Sequence, residues 1–339
     1  MMFDEVVWDK SDELFAAWKK KLFNEDVFRE IGRLIIQHRG DLRMNLFHHK
    51  KGAFNVILRM KFLDGGSAII RFPAPGYSVF SEEKVKREVS TMHFIEQNTG
   101  IRIPHVLHYV MTKEAPAELG PFIIMEYIEN DADLVDALNI PGRSDDDRPI
   151  LDPNIADERL RSVYSEMAEF VLQLARHSFR AIGCISANED DDFDNKWTAT
   201  DRPLTINMNE LVQLGGFPPH LLPQHTFKTA STYFLALAEM HMTHLSSQRN
   251  DAVVSEEDCK RKYIARCLFR KLAREKRLCH YENGPFKLFC DDFRPANVLA
   301  NSQCNYRAVG VIDWEFSYAA PAEFAYSPPS LLLLERPEY

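Results

Sequence analysis

The sequence predicts an α+β architecture in two lobes: a small, mostly antiparallel sheet lobe over residues 1–128 and a mainly helical lobe over 129–339. Three observations carry that expectation. Between residues 54 and 128, short strand-like runs are parted by turn signals, and the clearest of them alternates with a period of two. From Asn154 onward the apolar spacing lengthens to the helical one over three long stretches. Late in the chain, within residues 287–313, a polar turn separates two short apolar runs, which is a hairpin in a helical setting.

A chain of 339 residues, 45% hydrophobic and 27% charged, can bury a large core as one bilobal unit or as two domains. Its formal net charge of -9 argues against partners bound through nucleic-acid phosphates or an anionic membrane, although a local basic cleft is compatible with it. The opening "MMFDEVVWDKSDELF" has no apolar signal core and no run of about 18 apolar residues occurs, so a soluble, cytoplasmic protein is expected. Cys184, Cys259, Cys267, Cys279, Cys290 and Cys304 lack the close-paired spacing of a zinc site and read as free thiols in a reducing compartment.

Element by element, "DELFAAWKKKLF" and "EDVFREIGRLIIQH" read as amphipathic helices. Phe54, Val56, Leu58, Met60 and Phe62 then alternate with Asn55, Ile57, Arg59 and Lys61, which defines a strand. "DGG" turns the chain at 64–66, and "SAIIRFP" returns as a second strand that Pro73 stops. A helix follows from Ser81, acidic at its start and closed by Gly100. Its inner stripe holds Val85, Val89 and Met92. Glu88 lies on the same face, where a buried carboxylate requires a cation. "IPHVLHYVM" and "PFIIMEYI" complete the first lobe as strands. Helical segments follow at "DADLVDAL" and over 154–179, 226–248 and 256–279, and "NVLAN", "SQCN" and "RAVGVIDW" make the late hairpin.

Just before that hairpin, in "KLFCDDFRPANVLAN", Asp292 stands five positions ahead of Asn297. Asp190 and Asn195 share the spacing, but they lie in an acidic loop without an apolar strand on either side, which reads as solvated surface. At Asp292 the chain continues as a strand, turns, and returns through "AVGVI" to Asp313. Paired strands bring their far ends together, so Asn297 and Asp313 are expected side by side. An amide and a carboxylate suit Mg²⁺, which takes hard oxygen ligands and leaves the rest of its shell to phosphate and water. Asp292 is then left to orient a hydroxyl and accept its proton.

These residues resemble the signature of the aminoglycoside phosphotransferase and choline-kinase-like family, relatives of the protein kinases. "CDDFRPANVL" resembles the catalytic loop, and "VIDWE" resembles the segment with the metal-binding aspartate. The resemblance implies a protein-kinase-like fold, ATP and Mg²⁺ as cofactors, Asp292 as proton acceptor, and Asn297 with Asp313 on the metal. It also implies that Arg294 lies against the transferring phosphoryl group. "HHKKGAFN" resembles the phosphate-covering turn, with Gly52 as its single glycine. Arg71 stands where the family has its phosphate-gripping lysine, and Glu88 where a helix glutamate pairs with it. "IIMEYI" resembles the linker between lobes, so that Met125 would line the adenine pocket and the backbone of Glu126, Tyr127 and Ile128 would bond the base.

The chain departs from the family pattern in three places. Cys290 replaces the usual histidine of the catalytic loop, which bears on loop rigidity. Arg71 is a planar fork in place of a compact ammonium, which bears on phosphate geometry. After "DWEFSYAAPAEFAYSPPS" the sequence reads "LLLLERPEY", where family members continue into helices that wall the acceptor site, so Leu331–Leu334 are expected to be exposed or loosely packed. The implied activity is ATP-dependent transfer of the γ-phosphoryl group to a hydroxyl of a small molecule. The alternative is a kinase-like protein that keeps the fold and the nucleotide but transfers nothing. Protein-kinase activity is disfavoured, because no long activation segment follows "DWE".

Overall fold

The computed structural model describes residues 3–40, 43–52, 54–143, 147–188, 197–247, 252–327 and 332–334. Helices α1 (Phe3–Leu22) and α2 (Glu25–Arg39) come first. Asn24 caps α2 by accepting from the amides of Asp26 and Val27, and Gly40 ends it in the left-handed region at φ 79°. Five strands follow, β1 (Arg43–Lys51), β2 (Asn55–Phe62), β3 (Ser67–Pro73), β4 (Val106–Val110) and β5 (Phe122–Glu126), with α3 (Ser81–Asn98) between β3 and β4. They form one antiparallel sheet in the order β1-β2-β3-β5-β4.

The alternation along β2 decides which face is which. Val56, Leu58, Met60 and Phe62 are buried against Phe15, Trp18 and Leu22 of α1 and Ile31 and Ile35 of α2, which makes a first core. The Trp18 indole also donates to the Leu119 carbonyl at 2.6 Å, so its polar edge is not stranded in that core.

The remaining elements are β6 (Ala132–Asp133), α4 (Leu134–Leu138), α5 (Asp157–Ala175), β7 (Cys184–Ala187), β8 (Trp197–Asp201), α6 (Ile206–Gln213), α7 (Ala230–Ser247), α8 (Glu256–Arg274), β9 (Lys287–Cys290), β10 (Val298–Asn301), β11 (Arg307–Val311), β12 (Ser317–Ala320) and α9 (Ala322–Tyr326). Three small sheets pair β11-β10-β6, β12-β9 and β7-β8. Strands β7 and β8 were not foreseen, because "CISA" is too short to show a period; the loop carrying Asp190 and Asn195 lies outside the described residues. The result is an α+β, kinase-like bilobal fold.

The chain passes to the second lobe after Glu126, but the apolar core does not divide there. Val85, Val89, Met92 and Ile95 of α3, with Ile123 and Met125 of β5, join Val163, Met167, Tyr233, Leu288 and Trp314 in one large second core. Two ion pairs fasten α3 to the far side of that core, Arg87 to Asp201 and Glu83 to Arg202, each at 2.7 Å.

Of the apolar tail the structure describes residues 332–334, of which one is exposed and two are half-buried. Leu333 is 44% exposed, but Leu334 packs on the large core and the Tyr164 hydroxyl donates to the Leu332 carbonyl at 3.0 Å. Helix α5 supplies the partner that the sequence did not reveal; Leu331 lies outside the described residues. Among the described residues no helix is long and apolar enough to cross a membrane. All six cysteines are free.

Candidate active site

Strand β9 delivers the chain to two adjacent aspartates with separate environments. Asp291 accepts from the Ile206 amide at 2.9 Å, at the start of α6, and from the Tyr318 hydroxyl at 3.3 Å. Asp292 is buried instead beside Arg294, whose Nε lies 3.3 Å from its carboxylate. Both its backbone and its side chain hold Asn297, whose Nδ2 donates to the Asp292 carbonyl at 2.8 Å and lies 3.4 Å from Oδ2. The Asn297 nitrogen is thereby committed, which makes its amide oxygen the group available to a cation.

The hairpin β10-β11 then does what strand pairing requires. Val298 faces Val311, and the Ile312 amide donates to the Asn297 carbonyl at 2.9 Å, which sets Asp313 beside Asn297. Asp313 has φ 67°, the left-handed region that aspartate tolerates better than bulky residues. Below this segment lies Cys290, its Sγ 3.5 Å from the Glu315 carbonyl and 3.9 Å from that of Asp313. Burial pushes the Cys290 thiol well up, so it stays neutral and can donate to those carbonyls. A cysteine therefore braces the loop from the position where the family resemblance expects a histidine.

Arg71 reaches the same place from β3. One guanidinium nitrogen pairs with Glu88 on α3, and the other lies 2.9 Å from the Asp313 carboxylate. The fork of arginine makes this double engagement possible, where a lysine offers a single point charge. Burial works against the charge on Arg71, but Glu88, Asp313 and Glu315 outweigh it and hold the guanidinium protonated. Burial raises Glu88 against the pull of Arg71. Asp313 is pushed up to about 7 by burial first and by Glu315 second.

Three further residues, which the sequence did not single out, complete the floor of the cleft. Lys84, one turn before Glu88, pairs with Glu315 at 2.5 Å, and each side chain is 1% exposed. Asn55 joins both, accepting from Lys84 at 3.1 Å and donating to Glu315 at 3.0 Å. Burial pushes Glu315 up, but Lys84 and Arg71 overcome it and lower its pKa. A usable signal was present: Lys84 lies four residues before Glu88 and so shares its inward face.

In the linker two backbone amides are already bonded within the protein. The Glu126 amide donates to the His105 carbonyl at 2.9 Å and the Tyr127 amide to Ser67 at 3.1 Å. Met125 is buried in the large core, facing away from the first one. Arg59 stacks on Tyr127, its guanidinium 3.6 Å from the ring centroid. Gly52 is exposed, and its amide donates to the Asn55 carbonyl at 2.9 Å. A Cβ at Gly52 would meet only that same oxygen, at 3.7 Å, so the turn makes no steric demand for glycine. A cavity of about 690 Å³ lies behind the linker, lined by Arg39, Arg102, His105, Glu126 and Glu129, and none of the cleft acids borders it.

The donor set fits Mg²⁺. Among the described residues no three His, Cys, Asp or Glu side chains are grouped to hold a metal, which disfavours a self-sufficient protein cage. One half-buried carboxylate, Asp313, and one oriented amide, Asn297, are the kind of sparse ligands that Mg²⁺ shares with phosphate and water.

The strand order and two-lobed α+β architecture make the fold kinase-like. No protein-family model matches the chain. Among curated proteins it is similar to altered inheritance of mitochondria protein 9, mitochondrial, from Debaryomyces hansenii, 29% identical over 147 residues that cover 41% of this chain and 21% of that one. The protein of the same name from Scheffersomyces stipitis is 28% identical over 149 residues, 42% of this chain and 22% of that one. The matched part of the chain spans about a fifth of the length of these relatives. Their mitochondrial naming overturns the cytoplasmic expectation, which rested only on the lack of an apolar signal core. Among solved structures it is similar to macrolide 2'-phosphotransferase type I, with TM-score 0.44 and 13% identity over 86% of this chain and 73% of that one. Plasmodium vivax ethanolamine kinase gives TM-score 0.44 and 14% identity over 93% and 70%. The kinase-like reading stands on strand order and site geometry, which these likenesses do not extend.

Proposed function

We propose that the protein is an ATP- and Mg²⁺-dependent phosphotransferase that moves the γ-phosphoryl group to a hydroxyl of a small molecule. The observation that supports it most is that Asp292 bonds Asn297 in the loop before β10, while the chain leaving β11 hydrogen-bonds Asn297 and carries Asp313 next to it, with Arg71 reaching Asp313 from β3. Asp292 accepts the proton of the attacking hydroxyl, and Arg71 and Arg294 offset charge on the phosphates. Asn297 and Asp313 would hold the metal, which supplies charge neutralisation between phosphate oxygens. Arg71 exchanges its contact with Asp313 for phosphate when nucleotide enters. The net charge of -9 is the reason to seek the acceptor among small molecules and not on nucleic acid or a lipid surface. The mitochondrial naming of the relatives supports a mitochondrial setting for this activity.

The second reading is a kinase-like protein that transfers nothing, and the Arg71–Asp313 contact favours it, because a cation already occupies the carboxylate that a metal needs. Thermal unfolding with ATP, with and without Mg²⁺, separates the two. Stabilisation that depends on the metal is expected. Stabilisation by ATP alone would support the silent reading, and no response to either would remove the nucleotide site.

A further inference from the structure

We propose that Lys84 is a positioning residue, which through Asn55 and Glu315 locks the phosphate-covering turn, helix α3 and the Asp313 segment into one unit. The inference rests on the phosphotransferase reading for its purpose, but its geometry stands alone. Each member of the triad bonds the other two: Lys84 to Glu315 at 2.5 Å, Lys84 to Asn55 at 3.1 Å, and Asn55 to Glu315 at 3.0 Å. Each also comes from a different segment. Asn55 opens β2 and receives the Gly52 amide on its carbonyl, Lys84 precedes Glu88 by one helical turn, and Glu315 follows Asp313 by two residues.

Two aromatic rings close the box around the ammonium, and they belong to the same two flanking segments. Phe54 and Phe316 have their centroids 5.5 and 5.6 Å from Nζ and meet each other edge to face at 5.8 Å. A buried ammonium so enclosed has no freedom to leave without exposing a carboxylate to an apolar wall. Glu315 is thereby committed to Lys84 and Asn55, which leaves Asp313 as the acidic ligand of its segment. Loss of the ammonium should loosen the turn and the Asp313 segment together, not the helix alone.

The test uses the full chain with Lys84→Met/Glu315→Gln, which removes both charges yet lets the new amide bond Asn55, and with Asn55→Ser, which cuts one arm and keeps the ion pair. Arg87→Gln, on the same helix but outside the box, is the control. Amide hydrogen exchange over 54–58 and 312–317 and the ATP Kd with and without Mg²⁺ are measured. In both test variants exchange should rise in both segments together, by about tenfold, and the Kd for ATP with Mg²⁺ should rise by about tenfold, with a smaller change without the metal. Arg87→Gln should change neither, although it lowers the melting temperature. Faster exchange confined to α3, or metal-dependent affinity unchanged while both segments loosen, overturns the proposal. If the native chain binds no ATP, exchange decides alone: joint loosening sustains the lock while the phosphotransferase reading falls, and separate loosening removes the lock.

Discussion

Asp291 and Asp292 differ in nothing but the neighbours each meets, and those neighbours assign opposite consequences to the same substitution. Asp291 secures the α6 amide and the Tyr318 hydroxyl, so Asp291→Asn should cost about 1–2 kcal/mol in urea unfolding and leave ATP affinity unchanged. Asp292→Asn keeps the size but cannot take a proton, and should lower turnover by about 10² to 10⁴ with little effect on nucleotide affinity. Asp313→Asn removes a metal charge and should weaken ATP binding only when Mg²⁺ is present. Full turnover in the Asp292 variant sinks its role, and equal binding defects at 292 and 313 would mean that the proton acceptor and the metal ligand had been exchanged. Glu88→Ala releases Arg71 from one of its two carboxylates, so nucleotide affinity should fall; an unchanged Kd would separate Arg71 from the phosphates.

Among elements, α7 and α8 show how burial against a neighbour converts a surface pattern into a pH response. His241 on α7 is lowered to about 4 by burial first and then by Arg266 and His244. Its folded value lies below the free histidine value, so the unfolded chain takes the proton first as pH falls. The stability that neutral His241 contributes is complete above about pH 6.5 and is lost on the way down through about 4, a difference on the order of 2–3 kcal/mol. Denaturant unfolding of the native chain and of His241→Leu at pH 7.5 and 4.5 should show the variant losing less; parallel losses would dismiss the assignment. Helix α3 shows where the sequence stops being legible. Val85, Val89, Met92 and Glu88 could be placed by helical spacing, and Asn297 beside Asp313 by strand pairing, because both follow fixed local geometry. For Lys84 the spacing to Glu88 gives the inward face but not what it meets there: "EEKVKREV" has the composition of a solvated face, and its partners lie 29 residues before it and 231 after it. The internal bonds of Glu126 and Tyr127 were hidden for the same reason: a linker sequence does not say which distant carbonyl its amides will meet.

At the scale of the molecule, the boundary that the sequence suggested at 128 and the boundary between cores do not coincide, and that has a measurable consequence. Helix α3 is encoded in the first lobe but packs in the second core, where it is fastened by Arg87, Glu83 and Lys84 to Asp201, Arg202 and Glu315. Unfolding either core must strip one face of α3 or leave its buried charges without partners, so the lobes should not melt separately, even though a chain of this size commonly unfolds in stages. Trp18 reports on the first core and Trp314 on the second, at 8% and 1% exposure. Two single-tryptophan chains therefore provide the test. Both carry Trp8→Phe and Trp197→Phe; one also carries Trp314→Phe, and the other Trp18→Phe. Each substitution lowers stability somewhat, so each chain is followed by its own fluorescence and by circular dichroism in the same sample. The tryptophan and helix transitions should coincide within each chain. A fluorescence midpoint more than about 4 °C from the helix midpoint, roughly 1 kcal/mol of independent stability, would show that α3 does not tie the lobes together.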